Sequence, residues 1–325
     1  MAEFEEEYFK GKEIDGFYVE SMMKRAWAAT IEVLEVVDKI CRKHKLQYFA
    51  DWGTLLGAIR HKGIIPWDDD IDICMKRKDY NELIRVLPGE LPYGFVVAGM
   101  YASCERLQNA AYVPQLRVIA DETLWDFNAY MKRFHGFPYQ RIGIDIFPLD
   151  ALPEDEELAH VQREIVRQGI LILRDWDKLE AAGELQGYLK GFGEACNIEI
   201  PQRKDIKNWM WRLIDQICSL YESEDAKELT SFNVWAGPYR LKREWYAEAV
   251  DVPFENITIP IPKEYEAVLN TQFSNYKVPV RGTASHDYPF YGHMEEELIK
   301  QIRATGFTGT VEEFCEKVYK GELQV

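Results

Sequence analysis

The sequence predicts a mixed α/β (α+β) protein, in which helices flank a β-sheet core in the first half and dominate the second half. Between Val19 and His44, apolar residues recur every three or four positions, which is the spacing of an amphipathic helix. Short segments rich in β-branched and aromatic residues then alternate with helical patterns as far as Phe147. Beyond Pro153 the apolar pattern stays helical to about Leu220.

The first half predicts a regular succession of strands and helices. They are strand 47–52, helix 55–62, strand 71–75, helix 79–87 and strands 94–98, 115–119 and 142–147. In the second half, a Gly- and Pro-containing stretch between Gly191 and Pro201 predicts an interruption of the helices. Residues 255–262 predict an edge strand or extended arm, because their prolines cannot donate to a sheet ladder, and residues 263–272 predict a helix.

Composition limits the classes of protein to be considered. The 325 residues are 47% hydrophobic, which is enough to bury an ordinary core. Six scattered cysteines without a Cys-x-x-Cys pair indicate neither a disulfide framework nor a structural zinc, so a reducing cytoplasm is expected. No signal peptide or membrane span is predicted. A net charge of −16 argues against binding to a nucleic acid polymer, and any phosphate should therefore be small and bound locally.

Four carboxylates occur between Asp68 and Asp72, where a loop meets a predicted strand. Such a cluster repels itself strongly unless it is solvated or binds a cation. A solvated acidic turn or a calcium loop is the simpler interpretation. Against it, Asp70 and Asp72 alternate with isoleucines, which places two carboxylates on one face of a strand whose other face is buried. This pattern favours a Mg²⁺ site, because Mg²⁺ typically takes one or two protein carboxylates together with substrate phosphate oxygens.

Two further segments would complete such a site. Asp145 interrupts an apolar strand and is the candidate third carboxylate, although a helix cap or a salt-bridged edge aspartate is the alternative. Gly53 and Thr54 lie at a predicted strand-to-helix junction, where free N–H groups and the helix dipole favour an anion such as a phosphate. Together the two features predict a phosphate site that faces a metal site.

The stretch from Gly53 to Tyr80, which contains Gly-Thr-Leu-Leu-Gly-Ala-Ile-Arg-His and Ile-Ile-Pro-Trp-Asp-Asp-Asp-Ile-Asp-Ile, resembles the signature of the LicD family. Ile144-Asp-Ile-Phe-Pro-Leu-Asp150 resembles its second block. The resemblance implies a nucleotidyltransferase-like fold and transfer of a phospho-alcohol, typically phosphocholine from CDP-choline, to a hydroxyl of a surface glycan. Related fukutin-type enzymes use CDP-ribitol.

By motif position, the resemblance also assigns site residues. Asp70 and Asp72 would be the principal ligands of Mg²⁺ or Mn²⁺, Asp68 an accessory ligand or orienting group, and Asp145 the third carboxylate. Gly53 and Thr54 would hold the donor phosphates. We accordingly interpret residues 1–152 as a nucleotidyltransferase-like catalytic core with its N-terminal helix. Residues 153–325 would form a mainly helical region whose C-terminal arm completes the active site.

Five secondary candidates have two interpretations each. Arg60 and His61 end a predicted helix, where cations suit the dipole, so a structural role and phosphate contact are equally supported. Arg77 precedes a helix, where cations are disfavoured, which favours binding to a diphosphate or pairing with the acidic cluster. Arg117 would neutralise phosphate or bridge to an acid, and the structural role is favoured. His286 is a candidate general base, although a lone histidine is more often structural.

A choline head group would require an aromatic cage, to which several residues would contribute: Trp67, Trp125, Tyr288, Phe290 and Tyr291. The expected reaction is in-line attack by a glycan or lipid-linked glycan hydroxyl on the β-phosphorus of a CDP-alcohol, with CMP leaving. The general base would be an aspartate of the cluster or His286. Two alternatives stay open: a nucleotidyltransferase that moves NMP from an NTP to a small acceptor, and a calcium-dependent glycan-binding protein.

Overall fold

The structure is a computed structural model that describes residues 3–110, 115–140, 142–231, 239–280 and 288–325. Its strands are β1 Lys12–Ile14, β2 Phe17–Val19, β3 Tyr48–Ala50, β4 Asp72–Lys76, β5 Phe95–Gly99, β6 Leu116–Ala120, β7 Gly143–Ala151, β8 Glu228–Thr230, β9 Leu241–Lys242, β10 Ala249–Phe254 and β11 Ile257–Pro262. Its helices are α1 Ser21–His44, α2 Trp52–Arg60, α3 Arg77–Glu90, α4 Glu105–Ala110, α5 Phe127–Arg133, α6 Glu156–Arg174, α7 Trp176–Ala181, α8 Leu185–Cys196, α9 Ile206–Cys218, α10 Tyr265–Phe273, α11 Glu295–Ala304 and α12 Val311–Lys320. The mixed α/β prediction is confirmed.

Seven of the described strands form one mixed sheet, with the order β3-β4-β7-β6-β5 and with β8 and β9 continuing from the end of β7. Strands β4 and β7 are parallel, whereas the other neighbouring pairs are antiparallel. Because β8 and β9 come from the second half of the chain, both predicted regions contribute to the same sheet. The parallel pair lies near the centre of the sheet and carries the residues of the candidate site.

Helix α1 packs against the sheet with most of its surface buried, as its apolar spacing predicts. Its last turn carries Arg42, Lys43 and His44, where cations suit the dipole, and Lys45 ends it in the left-handed conformation at φ 57°. The Trp27 indole, which is 1% exposed, donates from Nε1 to the backbone carbonyl of Asp68 at 2.9 Å. The first helix is therefore tied directly to the acidic loop.

Two predicted boundaries move for identifiable reasons. Helix α2 begins at Trp52 rather than Leu55, because the buried Asp51 carboxylate caps it by accepting the Trp52 N–H at 3.0 Å. Helix α8 runs through Gly191 as far as Cys196, and the interruption starts only at Asn197, which adopts the left-handed conformation. Glycine lowers helix propensity, but packing of α6 with α8 and α9 overrides it here.

The predicted arm is a strand, since β11 pairs with β10 in an antiparallel hairpin. Helix α10 follows it and lies against α2. Near the end of the chain, α11 and α12 pack together, and α12 also lies against α5. None of the described helices combines the length and apolarity that a bilayer crossing requires.

Candidate active site

The parallel pairing of β4 with β7 brings carboxylates from two separate strands together. Asp72 and Asp145 are partners in register, and partners in adjacent strands project to the same face of a sheet. The Asp145 N–H also donates to the Ile71 carbonyl at 3.1 Å, which extends the pairing into the loop before β4. Strand β4 begins at Asp72 rather than at the predicted residue 71, and Asp70 lies in the loop before it.

The loop folds so that three consecutive carboxylates converge. Oxygen atoms of Asp68, Asp69 and Asp70 lie within 4.8 Å of one another. Asp69, which the sequence analysis left out of the ligand set, is 5% exposed and accepts the Phe290 N–H at 2.7 Å. The loop is thus held by α1 on one side and by the C-terminal segment on the other.

Burial and mutual repulsion shift the titration of this cluster. Burial raises the pKa of Asp68 well above its ordinary value, and the charges of Asp70 and Asp69 add to the shift. Burial also raises the pKa of Asp72, with further contributions from Asp70 and Asp145. The atoms of this cluster that could coordinate a cation are all carboxylate oxygens. The residues therefore fit a divalent cation of the Mg²⁺ type.

One cationic side chain, that of Arg117, contacts the carboxylate cluster. Arg117 on β6 is the register partner of Asp145 and forms an ion pair with it, and Gln115 Nε2 donates to Asp145 Oδ2 at 3.0 Å. Burial raises the pKa of Asp145, while Arg117 and Gln115 oppose that rise. The ion pair agrees with the structural role favoured for Arg117. Its guanidinium is also 28% exposed on a cavity wall, where phosphate contact is sterically open.

The first turn of α2 supports the same carboxylates. Thr54 Oγ1 accepts the Asp72 N–H at 2.8 Å, so this buried hydroxyl fixes the backbone at the start of β4. At Gly53, an added Cβ would lie 2.5 Å from Asp68 Oδ2, which explains why no side chain fits there. Both predicted residues therefore adjoin the cluster. Their contact with a donor phosphate stays a prediction.

The contacts of Arg77 differ from those that the sequence predicted. Its guanidinium is 1% exposed and forms forked hydrogen bonds with two buried carboxylates, at 2.6 and 2.9 Å to Asp150 and at 2.9 and 3.0 Å to Asp215. It follows the last residue of β4, whereas Asp72 is the first. The proposed diphosphate contact is wrong, because these donors are already satisfied at the opposite end of the strand.

The remaining cationic candidates lie elsewhere or outside the described residues. Arg60 and His61 are at the end of α2 away from Gly53, and His61 Nδ1 is 3.3 Å from Asp15 Oδ2. Burial lowers the pKa of His61, and the nearby charge of Arg60 lowers it further. Neither residue lines the cavity beside the carboxylates, which agrees with their structural interpretation. His286 lies outside the described residues.

Some of the aromatic residues predicted for a choline cage line the cavity beside the carboxylates, and others lie elsewhere. Phe290 lines the cavity beside the carboxylates. The Trp125 indole instead donates to the Gly94 carbonyl and packs on Phe134, beside β5 at the edge of the sheet. Tyr291 is buried in a stack on Tyr139. Trp125 and Tyr291 therefore do not line the cavity, whereas Phe290 does.

A cavity of about 270 Å³ opens beside the cluster. Its polar walls include Asp70, Asp145, Arg117 and His293. His293, which the sequence analysis missed, belongs to the short 3-10 turn Gly292–Met294 that follows Phe290. No periodic or motif signal distinguishes it in the sequence. Only the fold, which returns the C-terminal segment to the acidic loop, reveals its position.

Comparison with known proteins agrees with this geometry. Residues 45–162 match the family described as LicD/FKTN/FKRP, nucleotidyltransferase domain. The lipopolysaccharide cholinephosphotransferase LicD of Haemophilus influenzae is 46% identical over 56 residues, covering 17% of this chain and 21% of that protein.

An uncharacterized protein of Rickettsia prowazekii is 37% identical over 118 residues, covering 36% of this chain and 39% of its own length. One from Rickettsia typhi is 39% identical over 125 residues, covering 38% of this chain and 35% of its own. The chain thus spans between 21% and 39% of the length of these curated relatives. The matched segment contains α2, the loop of Asp68–Asp70, β4 and β7, and so includes all the converging carboxylates. Residues 45–162 are therefore similar to the nucleotidyltransferase domain of the LicD family.

Proposed function

We propose that this chain is a metal-dependent transferase that moves a phospho-alcohol, foremost phosphocholine, from a CDP-activated donor to a hydroxyl of a surface glycan or its lipid-linked precursor. The observation that carries the proposal is the register pairing of Asp72 with Asp145 beside the Asp68–Asp70 loop. The relative from Haemophilus influenzae, whose printed name is lipopolysaccharide cholinephosphotransferase, supports the choice of reaction class.

Four carboxylates, those of Asp68, Asp70, Asp72 and Asp145, would hold Mg²⁺ or Mn²⁺. A bound ion of this kind supplies positive charge to a diphosphate and to the departing CMP. The protein's own contribution is to hold the ligands in place. Thr54 fixes the Asp72 backbone, and Trp27 fixes the Asp68 backbone. Because these supports are buried, the ligands need little reorganisation when a donor binds.

In the proposed reaction, the acceptor oxygen forms a bond to the β-phosphorus of the donor while the bond from that phosphorus to the CMP oxygen breaks. The hydroxyl proton passes to a base. Among the described residues that line the cavity, His293 supplies the imidazole, and we assign it this role. Arg117, on the same wall, would orient a donor phosphate while paired with Asp145.

The proposal is tested by following CMP release from CDP-choline in the presence of Mg²⁺, with CDP-ribitol in parallel. Asp70→Asn and Asp72→Asn should each abolish release, because each removes a ligand charge. Asp251→Asn is the matched control, since this half-exposed carboxylate lies on the β10–β11 hairpin outside the cluster. Near-normal turnover in either cluster variant would overturn the assignment of ligands.

One alternative has an observation in its favour, because the matched family is described as a nucleotidyltransferase domain. Such an enzyme would release pyrophosphate from CTP in the presence of a small acceptor. The same assay separates the two reactions when it is run with CTP and with CDP-choline. Pyrophosphate from CTP without CMP from CDP-choline would replace the proposed function with nucleotidyl transfer.

A further inference from the structure

A second polar cavity lies at the other end of β4, away from the carboxylates. It has a volume of about 900 Å³, and its walls come from Lys76 at the end of β4, the segment after β7, and residues around β8 and β9. Lys76 is four residues along the strand from Asp72, or about 13 Å at the usual rise per residue. The cavity is therefore separate from the proposed catalytic site.

The walls of this cavity carry more cationic than acidic side chains. Four cations line it, namely Lys76, Lys227, Lys242 and Arg243, together with three glutamates. Each glutamate already has a cationic partner: Glu154 pairs with Lys227 at 3.1 Å, Glu228 with Arg240 at 2.6 Å, and Glu244 with Lys242 at 3.8 Å. A local excess of positive charge is unexpected in a chain whose net charge is −16.

Lys76 accounts for most of that excess. Within the described part of the chain, no carboxylate forms an ion pair with its ammonium group, although the side chain is half-buried. Burial lowers the pKa of Lys76 and the nearby charge of Arg243 lowers it further, whereas the charge of Asp79 partly opposes the shift. Arg243 itself is only loosely paired, at 3.7 Å from Glu222, and donates to the Ser223 carbonyl at 2.7 Å. Two neighbouring cations thus face the same cavity.

The backbone adds to this positive potential. Helix α3 is 14 residues long and begins directly after Lys76, and no side chain caps its start. Free N–H groups at a helix N-terminus favour anions, and a phosphate accepts several hydrogen bonds at once. The carboxylate of Asp79, in the first turn, accepts a hydrogen bond from the Gln47 N–H at 3.2 Å. The side chains of Lys76 and Arg243, which line the cavity, therefore offer the donors to one compact anion, and the dipole of α3 begins beside them.

We propose that this cavity is a second phosphate-binding site, which takes the phosphate group of a phosphorylated sugar or nucleotide through Lys76 and Arg243. Its volume lies in the range typical of small-molecule sites, so there is room for the group that the phosphate carries. The proposal does not depend on the transferase function, because none of its residues belongs to the carboxylate cluster.

The test measures binding of inorganic phosphate by isothermal titration calorimetry, without added divalent cations. Lys76→Gln should weaken binding about tenfold, since a charge-assisted hydrogen bond is lost. Lys78→Gln is the matched control: it removes the same charge two residues away, but Lys78 is 81% exposed, pairs with Glu224 and does not line the cavity. Lys76→Arg should retain binding, and Arg243→Gln should weaken it independently.

Equal weakening by Lys76→Gln and Lys78→Gln would overturn the proposal, because it would show only a general electrostatic effect. Absence of saturable binding in the unmodified protein would overturn it as well. Asp70→Asn should bind phosphate normally, which separates this site from the carboxylate cluster. Repeating the titration with CMP and with glucose 6-phosphate identifies the source of the phosphate, since the preferred compound should lose the most affinity in Lys76→Gln.

Discussion

Two carboxylates of the cluster, Asp68 and Asp72, are held in place through their backbone atoms. The Asp72 backbone N–H donates to the Thr54 hydroxyl oxygen, and the Asp68 backbone carbonyl accepts from the Trp27 indole. These contacts position the two carboxylates without using their side-chain oxygens. Burial raises the pKa values of Asp68 and Asp72, and repulsion from neighbouring aspartates raises them further. At the scale of single residues, this arrangement fits the proposed binding of a divalent cation.

A prediction at this scale concerns His293. If it accepts the proton of the attacking hydroxyl, His293→Gln should lower kcat for CMP release by about a hundredfold, with KM for the donor nearly unchanged. The glutamine retains hydrogen bonding but cannot take up the proton. His160→Gln is the control, because it removes an exposed imidazole from α6, outside the cavity. A kcat within about twofold of the unmodified protein would assign the proton to another group.

At the scale of elements, the sequence was informative wherever structure depends on local pattern. The periodicity from Val19 to His44 predicted α1 almost to the residue, and alternation around Asp72 predicted β4. The start of α2 was misplaced because the Asp51 cap is recognisable only when the helix is seen. Arg77 was misassigned for a related reason: its partners Asp150 and Asp215 are 73 and 138 residues away, and no local pattern connects them.

A prediction at the scale of elements tests that correction. Arg77 joins the start of α3 to β7 and α9 through two buried carboxylates. Arg77→Lys cannot reproduce the forked hydrogen bonds, so it should lower the free energy of unfolding by about 3 kcal/mol in urea titrations. KM for the donor, measured on folded protein, should not change.

Arg85→Gln is the control for this experiment, because Arg85 is exposed on the same helix and pairs only with Glu82 at the surface. It should leave the free energy of unfolding within about 0.5 kcal/mol. The opposite pattern, in which Arg77→Lys raises KM for the donor without loss of stability, would return Arg77 to the binding site.

At the scale of the whole molecule, the candidate site depends on contacts between distant parts of the chain. The sequence identified Asp70, Asp72 and Asp145 because each interrupts an apolar strand or its lead-in, a local signal. It missed Asp69 and His293, since their roles arise when the segment around Phe290 returns to a loop 221 residues earlier. Topology of this kind is fixed by burial of the entire core, which no single segment encodes.

The same long-range organisation makes a prediction about acid stability. Glu32 on α1 is fully buried and joins that helix to the segment after β6, through an ion pair with Arg133 and a contact of 2.9 Å with His135 Nε2. Burial alone would raise the pKa of Glu32, but the hydrogen bonds from His135 and Arg133 outweigh it and hold the pKa below its ordinary value. The ionised form is therefore favoured by folding.

A carboxyl whose pKa is lower in the folded state stabilises the protein above its unfolded pKa, and that contribution is lost as the pH falls through the folded value. Glu32→Gln should therefore lower the free energy of unfolding by about 3 kcal/mol at pH 7, and the deficit should shrink below about pH 4.3, the ordinary glutamate pKa. Urea titrations at several pH values measure the difference. Glu35→Gln, one turn further along α1 with its carboxylate 21% exposed, is the control and should show a small deficit. If the Glu32→Gln deficit stayed constant from pH 7 to the acid limit of folding, the ion pair with Arg133 would not be what joins these elements.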